Sequence, residues 1–110
     1  MAAKFELYRD KAGEYRFRLK AANGEIVLES EGYKAKASAE NGITSVKTNA
    51  PNADRFEKRT ASDNSPYFVL KAANHEVIGT SEMYSSNSAR DAGIEAVQRA
   101  AAAATTVDLT

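Results

Sequence analysis

The side chains in this sequence that could do chemistry occur in one short motif that is present twice. Each copy has a serine, a glutamate and, two residues after the glutamate, a tyrosine: Ser30, Glu31 and Tyr33, then Ser81, Glu82 and Tyr84. Such groups can hydrogen-bond a small ligand, and a serine becomes a nucleophile when a general base lies beside it. Neither serine has a histidine or lysine beside it in the sequence that would activate it. A small-molecule enzyme that uses these residues would need their side chains to converge on one pocket.

We expect the motif to be structural instead. Short polar motifs at the end of a strand commonly satisfy backbone groups through their side chains. The serine and glutamate are therefore predicted to bond the backbone, and the tyrosine is predicted to pack beneath a helix.

Metal and thiol chemistry have no support in the composition. The chain has no cysteine, which excludes disulfides, thiolate metal sites and cysteine nucleophiles. Its single histidine, His75, lies in a predicted turn without partners for catalysis or metal binding, so it is interpreted as a solvated turn residue. No phosphate-binding loop, zinc spacing or paired-carboxylate motif occurs. We expect no catalytic residue, no cofactor and no metal, and therefore no enzymatic activity.

A third group of side chains could bind rather than react. Within residues 15–20, three apolar and three cationic side chains alternate, which is typical of a strand with one buried face. If helices cover only the apolar side, a basic and aromatic face stays open. Its predicted members are Tyr8, Arg16, Arg18, Lys20, Arg59, Tyr67 and Lys71. Single-stranded RNA stacks on sheets of this kind. The alternative is a solvated face in which Glu6 and Glu57 pair with the cations across strands.

Charge and hydropathy limit the partners. The 15 basic and 15 acidic residues cancel, so the chain as a whole attracts phosphates little. The first residues contain no apolar stretch typical of a signal peptide. The longest apolar stretch, residues 100–104, is too short to span a bilayer. We expect a cytoplasmic protein that does not bind membranes.

The motif recurs because the chain contains an internal duplication. A shift of 51 residues aligns residues 5–50 with residues 56–101 without a gap, and 16 of the 46 pairs are identical. Chance would give roughly three identities at average residue usage. Residues 1–52 are therefore predicted to be the first repeat and residues 53–110 the second, and the two together form one compact domain.

Each repeat is predicted to contain three strands followed by a helix. The third strands are expected at residues 25–30 and 76–81, and the helices at about 35–49 and 86–104, where apolar residues recur three and four positions apart. Gly42 and Gly93 share one helix register and are expected to allow close approach to the sheet. The same shift relates Phe5, Phe56 and Val107, which predicts a short last strand near residues 106–109.

One turn differs between the copies. Asn23-Gly24 between two strands is typical of a two-residue hairpin turn, because both residues accept a positive φ. In the second repeat His75 stands where the first has Gly24. We expect the second turn to be strained or differently shaped.

The predicted fold class is α+β. A tandem β-β-β-α repeat with a short terminal strand forms an antiparallel sheet, both helices lie on one face of it, and a pseudo-twofold axis relates the repeats.

The motifs of both copies resemble those of a known family. Residues 15–25, Ser30-Glu31-Gly32-Tyr33, residues 41–43 and Ser45-Val46 are similar to the signature of the YegP-like family of small tandem-repeat prokaryotic proteins. The resemblance covers nearly the whole chain. It implies that two β3-α-β units join into one sheet by exchanging their C-terminal strands. It implies no accepted activity, cofactor or catalytic residue.

The leading functional hypothesis is a non-enzymatic interaction module with an unknown protein partner. It would use the open sheet face or a cleft between the two copies. The alternative is binding of single-stranded nucleic acid through the basic and aromatic face, and a small-molecule enzyme is a third hypothesis. We expect a monomer, since the duplication supplies internally what a single-copy protein would obtain by dimerising.

Overall fold

The computed structural model describes residues 2–110, which form seven strands and two helices. The strands are β1 (Lys4–Arg9), β2 (Tyr15–Lys20), β3 (Ile26–Glu29), β4 (Phe56–Thr60), β5 (Pro66–Lys71), β6 (Val77–Thr80) and β7 (Thr105–Asp108). The helices are α1 (Lys36–Asn49) and α2 (Asn87–Ala103), and a 3₁₀ turn (Ala53–Arg55) precedes β4. The predicted elements are therefore present in the predicted order.

The strands form one open sheet in the order β4-β5-β6-β3-β2-β1-β7. All neighbours are antiparallel except β1 and β7, which are parallel. Equivalent strands pair in the same register, with Phe5 opposite Leu19 and Phe56 opposite Leu70. The halves meet at the centre of the sheet, where β3 and β6 pair through Glu29 and Thr80. The α+β tandem-repeat fold is confirmed.

The hydrophobic core lies between the sheet and both helices. Phe17 and Phe68 are fully buried beneath α1 and α2. Each helix packs on strands of both halves: α1 contacts β2 and β6, and α2 contacts β5, β2 and β3. Because neither half covers its own apolar face alone, the two repeats share one core.

The hairpin turns differ from the predicted two-residue type. In the β2–β3 turn Gly24 N–H donates to the carbonyl of Ala21 at 2.9 Å, and Ala21 N–H donates to Glu25 at 2.9 Å. Only Gly24 of this turn has a positive φ, of 86°, so the hairpin is present but Asn23 does not use the left-handed conformation that it could accept. A longer hairpin loop, with a type I turn followed by a single left-handed residue, is the next most common hairpin connection and needs a positive φ only at that residue.

His75 keeps the shape of its turn, so of the two expected outcomes, strain or a different shape, the structure shows strain. Its φ is 70°, and its N–H donates to Ala72 at 2.9 Å, as Gly24 does to Ala21. The loop hydrogen bonds therefore impose the left-handed conformation on a residue with a Cβ. Since such residues rarely adopt it, the predicted strain lies in this backbone angle.

The two helices lead to their next strands differently. The 3₁₀ turn separates α1 from β4, whereas α2 is followed after Ala104 by β7. Strand β7 then lies beside β1, at the opposite edge of the sheet from β4. Within residues 2–110 no helix combines the length and the hydrophobicity needed to cross a membrane.

Candidate functional site

The two motif serines are buried, and each hydroxyl both accepts and donates a hydrogen bond with the backbone. Ser30 is 6% exposed, its Oγ accepts a hydrogen bond from Phe17 N–H at 2.9 Å, and its hydroxyl donates to the carbonyl of Glu31 at 2.8 Å. Ser81 makes the same contacts with Phe68 and Glu82, at 3.0 and 2.8 Å. Each hydroxyl thus bonds the backbone where its third strand ends. Neither is free to attack a substrate.

The motif tyrosines lie beneath the helices. The ring of Tyr33 stacks on Phe17 with centroids 6.5 Å apart, and Tyr84 stacks on Phe68 at 6.1 Å. Burial raises the pKa of both phenols above their ordinary value, and nearby glutamates add to the effect. The phenols therefore stay protonated at neutral pH. The glutamates of the motif, Glu31 and Glu82, are exposed to solvent.

Two small clefts flank the junction between the copies. They have volumes of about 210 and 180 Å³. In each, the Ser-Glu pair of one repeat faces the third strand of the other repeat. The pseudo-twofold axis relates the two clefts. The only motif hydroxyls at these clefts, those of Ser30 and Ser81, already bond the backbone, so the clefts offer no activated nucleophile.

His75 is exposed at the tip of its turn. Among residues 2–110, no group of three or more histidine and acidic side chains is arranged to hold a metal ion.

The open face of the sheet carries all seven side chains of the predicted binding face, on β1, β2, β4 and β5. On β1 and β2 they surround Glu6, which is only 6% exposed. Its carboxylate accepts from Arg18 Nε at 2.7 Å and pairs with Lys20 Nζ at 3.2 Å and Lys4 Nζ at 3.4 Å. The hydrogen bond from Arg18 outweighs the effect of burial and lowers the pKa of Glu6 from 4.5 to about 2. Glu6 is thus a buried anion beneath three cations.

Arg18 also covers the aromatic residue of this cluster. Its guanidinium carbon lies 4.4 Å from the ring centroid of Tyr8, a cation–π distance. The neighbouring Arg16 donates through Nε to Asp10 Oδ2 at 2.6 Å. Sequence reasoning missed Asp10, which lies in the β1–β2 loop six residues before its partner.

A second, more exposed cluster surrounds Glu57 on the other half. Its carboxylate accepts from Arg59 Nε and from Lys71 Nζ, the latter at 2.7 Å. These hydrogen bonds lower the pKa of Glu57. Tyr67 lies opposite Arg59 on the adjacent strand. Arg55 lies outside this cluster, in the 3₁₀ turn before β4, and donates to Asn49 Oδ1 at 3.1 Å.

Every predicted cation of the face therefore has a carboxylate partner. With Lys4, the face has six cations; its four carboxylates are Glu6, Asp10, Glu29 and Glu57. The net charge of +2 is small, but the buried position of Glu6 leaves the cations outermost on that half. The face presents ordered positive charge with little free capacity for phosphates.

Comparisons with known proteins agree with the duplication. The family described as "Domain of unknown function (DUF1508)" matches twice, at residues 10–57 and 61–108. A UPF0339 protein of Acinetobacter baylyi is 56% identical over 110 residues, which cover 100% of this chain and 99% of that protein. UPF0339 protein YegP of Escherichia coli K12 is 51% identical over 98 residues, 89% of each chain.

Solved structures of relatives have the same fold. The solution structure of a UPF0339 protein from Shewanella oneidensis matches with a TM-score of 0.93 at 49% identity, and covers 100% of this chain and 93% of that one. The solution structure of the E. coli protein of unknown function YegP matches with a TM-score of 0.94 at 48% identity, over 100% and 95% of the chains. These names state neither an enzymatic activity nor nucleic-acid binding. This chain belongs to the YegP-like UPF0339 family and consists of two tandem DUF1508 repeats.

Proposed function

We propose that this protein is a non-enzymatic interaction module of the cytoplasm, and that the open face of its sheet binds an acidic surface of a partner protein. The observation that supports the proposal is the layered arrangement around Glu6. The anion is buried, and the cations that hold it lie above it with 25–37% of their side chains exposed. The outer surface that a partner would contact is therefore positively charged.

The cations of the face are held in place before binding. Arg18 is fixed both by Glu6 and by the ring of Tyr8, and Lys71 is held by Glu57. Ordering a long side chain on binding costs about 0.5–1.5 kcal/mol, so pre-ordered side chains lose less on association.

The same geometry does not favour nucleic acid as the ligand. Each cation already has a carboxylate neighbour, which reduces the attraction to phosphates. Stacking of bases needs an open aromatic ring, and the guanidinium of Arg18 lies over Tyr8. Nucleic-acid binding remains an alternative outcome of the experiment.

Site-specific cross-linking in living cells tests the proposal. A photo-reactive amino acid replaces Thr80, near the centre of the open face, and the control replaces Glu40, which is exposed on α1 on the opposite side. We expect a defined protein adduct from position 80 and none from position 40. Equal adducts from both positions, no adduct from position 80, or adducts of nucleic acid alone would contradict the proposal.

Binding of the identified partner, purified, then tests the charges. Lys71→Gln together with Arg59→Gln should weaken binding at least tenfold in calorimetry, with a steep dependence on salt. Arg99→Gln removes one positive charge from the exposed side of α2 and should leave the affinity unchanged. Equal affinities of all three proteins would exclude the half of the open face around Glu57.

A further inference from the structure

The two edges of the sheet differ, although the strands next to them are equivalent. Strands β1 and β4 are related by the repeat and pair with β2 and β5 in the same register. Strand β7 lies parallel to the outer side of β1. In the described chain, β4 is the last strand of the sheet and has no such neighbour. The position equivalent to that of β7 is empty.

The side chains of β4 are correspondingly exposed. The side chain of Glu6 is 8% exposed, whereas that of its equivalent, Glu57, is 41% exposed. Leu7 is 1% exposed, and its equivalent Lys58 has 54% of its side chain exposed. A groove of about 440 Å³ lies beside β4 and α2, lined by Phe56, Lys58 and Ile94 among others. One more strand beside β4 would cover Glu57 and Lys58, as β7 covers the equivalent side chains of β1.

The backbone of β4 can accept such a strand. Leu109 N–H donates to the carbonyl of Leu7 at 2.8 Å, so the backbone groups of Leu7 face β7. In an antiparallel strand the N–H and C=O of one residue point to the same side. Lys58 is opposite Phe68, as Leu7 is opposite Phe17. The N–H and C=O of Lys58 therefore point away from β5, at the free edge, where unpaired backbone groups template strand addition.

The positive charge of Lys58 at the β4 edge favours a strand that carries an acidic residue. On the occupied edge, Leu7 lies beside Asp108, and Lys36 at the start of α1 binds Asp108 Oδ2 at 2.6 Å. On the free edge, the residue next to the equivalent position is Lys58 itself. A charged side chain that points toward the core side discourages the addition of an apolar strand. Lys58 Nζ lies 3.2 Å from Asp91 Oδ1 on α2, and 54% of the Lys58 side chain is exposed. An acidic residue at the position of Asp108 would lie beside the same ammonium group and would share it with Asp91.

We propose that the edge of β4 binds an extended segment of a partner protein, which adds to the sheet parallel to β4 and places an acidic residue beside Lys58. The segment resembles β7 in chemistry, with β-branched residues before the acid. This mode of recognition takes affinity from main-chain hydrogen bonds and specificity from alternate side chains. It is independent of the open face and uses a different surface.

A peptide with the sequence of residues 103–110 is the probe, because that segment already fits the equivalent edge. Titrated in millimolar amounts into the isotope-labelled full chain, it should shift the amide resonances of residues 56–60 saturably and slow hydrogen exchange at Lys58. A peptide N-methylated at the leucine equivalent to Leu109 lacks the N–H that would bond Lys58 and should bind at least tenfold more weakly.

A charge exchange tests the selectivity. Lys58→Glu should weaken binding of the peptide at least tenfold, and a peptide with lysine in place of its aspartate should recover most of that loss. Lys11→Glu, in the exposed β1–β2 loop, is the matched control and should bind like the unsubstituted chain. Preserved dispersion of the amide spectrum shows that each variant is folded.

Three results would overturn the proposal. The first is that residues 56–60 do not respond at the highest peptide concentration. The second is a response confined to β1 and β7, which would mean that the peptide displaces β7. The third is protection of β4 in the absence of peptide together with a concentration-dependent mass, which would identify a second copy of this chain as the occupant.

Discussion

Leu28 and Gly79 occupy equivalent positions in the two repeats, and the side chain of Leu28 lies against Gly79 on the core side of β3 and β6. A Cβ added at Gly79 would lie 2.6 Å from both Cγ and Cδ2 of Leu28. The pseudo-twofold axis passes between these strands, so one leucine fills the space that the two positions share. Leucine at both positions would overfill this part of the core, and glycine at both positions would leave a cavity.

We expect strong coupling between these two positions. Gly79→Ala alone should destabilise the protein by about 1–3 kcal/mol through overpacking, and Leu28→Ala alone by about 2–5 kcal/mol through a cavity. The double variant should cost at least 1 kcal/mol less than the two single costs together, since the new methyl group enters the new cavity. Urea unfolding of the four proteins measures the coupling, and additive costs would show that the two residues do not share the space.

This pair shows what sequence could and could not predict. The duplication and the periodicity of apolar residues predicted every strand and helix, because both signals can be read along the sequence without knowing which residues meet in the fold. The mismatch of Leu28 and Gly79 is visible in the aligned repeats, but its meaning requires knowing that the two positions meet. The Arg16–Asp10 pair likewise depends on the bend of a loop. Burial of Glu6 could not be predicted either, because it requires β7 to lie beside β1.

A second prediction concerns the contact between α2 and the motif tyrosine. A Cβ at Gly93 would lie 2.6 Å from Tyr84 Cζ, with the phenol oxygen closer still. Alanine normally stabilises a helix interior relative to glycine by about 1 kcal/mol. Gly93→Ala should nevertheless lower the unfolding free energy by about 1–3 kcal/mol, because the partly buried ring, stacked on Phe68, cannot move freely. Thermal or urea unfolding tests this.

The control substitutes an exposed residue of the same helix in the opposite direction. Ala92→Gly should cost about 1 kcal/mol from propensity alone, since Ala92 is exposed. If Gly93→Ala were to stabilise the protein, the close approach of helix and tyrosine would be excluded as the reason for the glycine.

The third prediction is a pH dependence of stability that arises from Glu6. Its pKa in the folded chain is lowered from 4.5 to about 2, chiefly by the hydrogen bond from Arg18. A lowered pKa contributes stability that is complete above the unfolded value and is lost as the pH falls toward the folded one. Glu6→Gln should cost about 2 kcal/mol at pH 7, a typical value for a hydrogen bond to a charged group. The difference from the unsubstituted protein should shrink between pH 4.5 and pH 2.

The equivalent substitution on the other half is the matched control. Glu57→Gln removes a carboxylate that also has a lowered pKa, but its side chain is far more exposed, because no strand lies outside β4. Solvent screens such a pair strongly, so its cost at pH 7 should be smaller than that of Glu6→Gln. Urea unfolding at a series of pH values measures both. Equal costs would show that β7 does not strengthen the Glu6 cluster.

The last prediction concerns the left-handed residues of the hairpin turns. The first repeat has glycine at both such positions, Gly13 and Gly24, and the second repeat has Asn64 and His75, each with φ of 70°. Glycine adopts this conformation without steric cost, whereas asparagine tolerates it better than most other residues. His75→Gly should therefore raise the unfolding free energy by about 0.5–1 kcal/mol, after allowance for the greater entropy of glycine in the unfolded chain.

The relative sizes of the stability changes in three variants show whether backbone strain is their cause. Asn64→Gly should stabilise the protein less than His75→Gly, and Gly24→His should destabilise it by about the amount that His75→Gly gains. Because His75 and Gly24 are both exposed, neither change alters core packing. Thermal unfolding of the three variants beside the unsubstituted protein measures these differences. If His75→Gly lowers the stability instead, the imidazole must contribute more to the turn than its backbone angle costs.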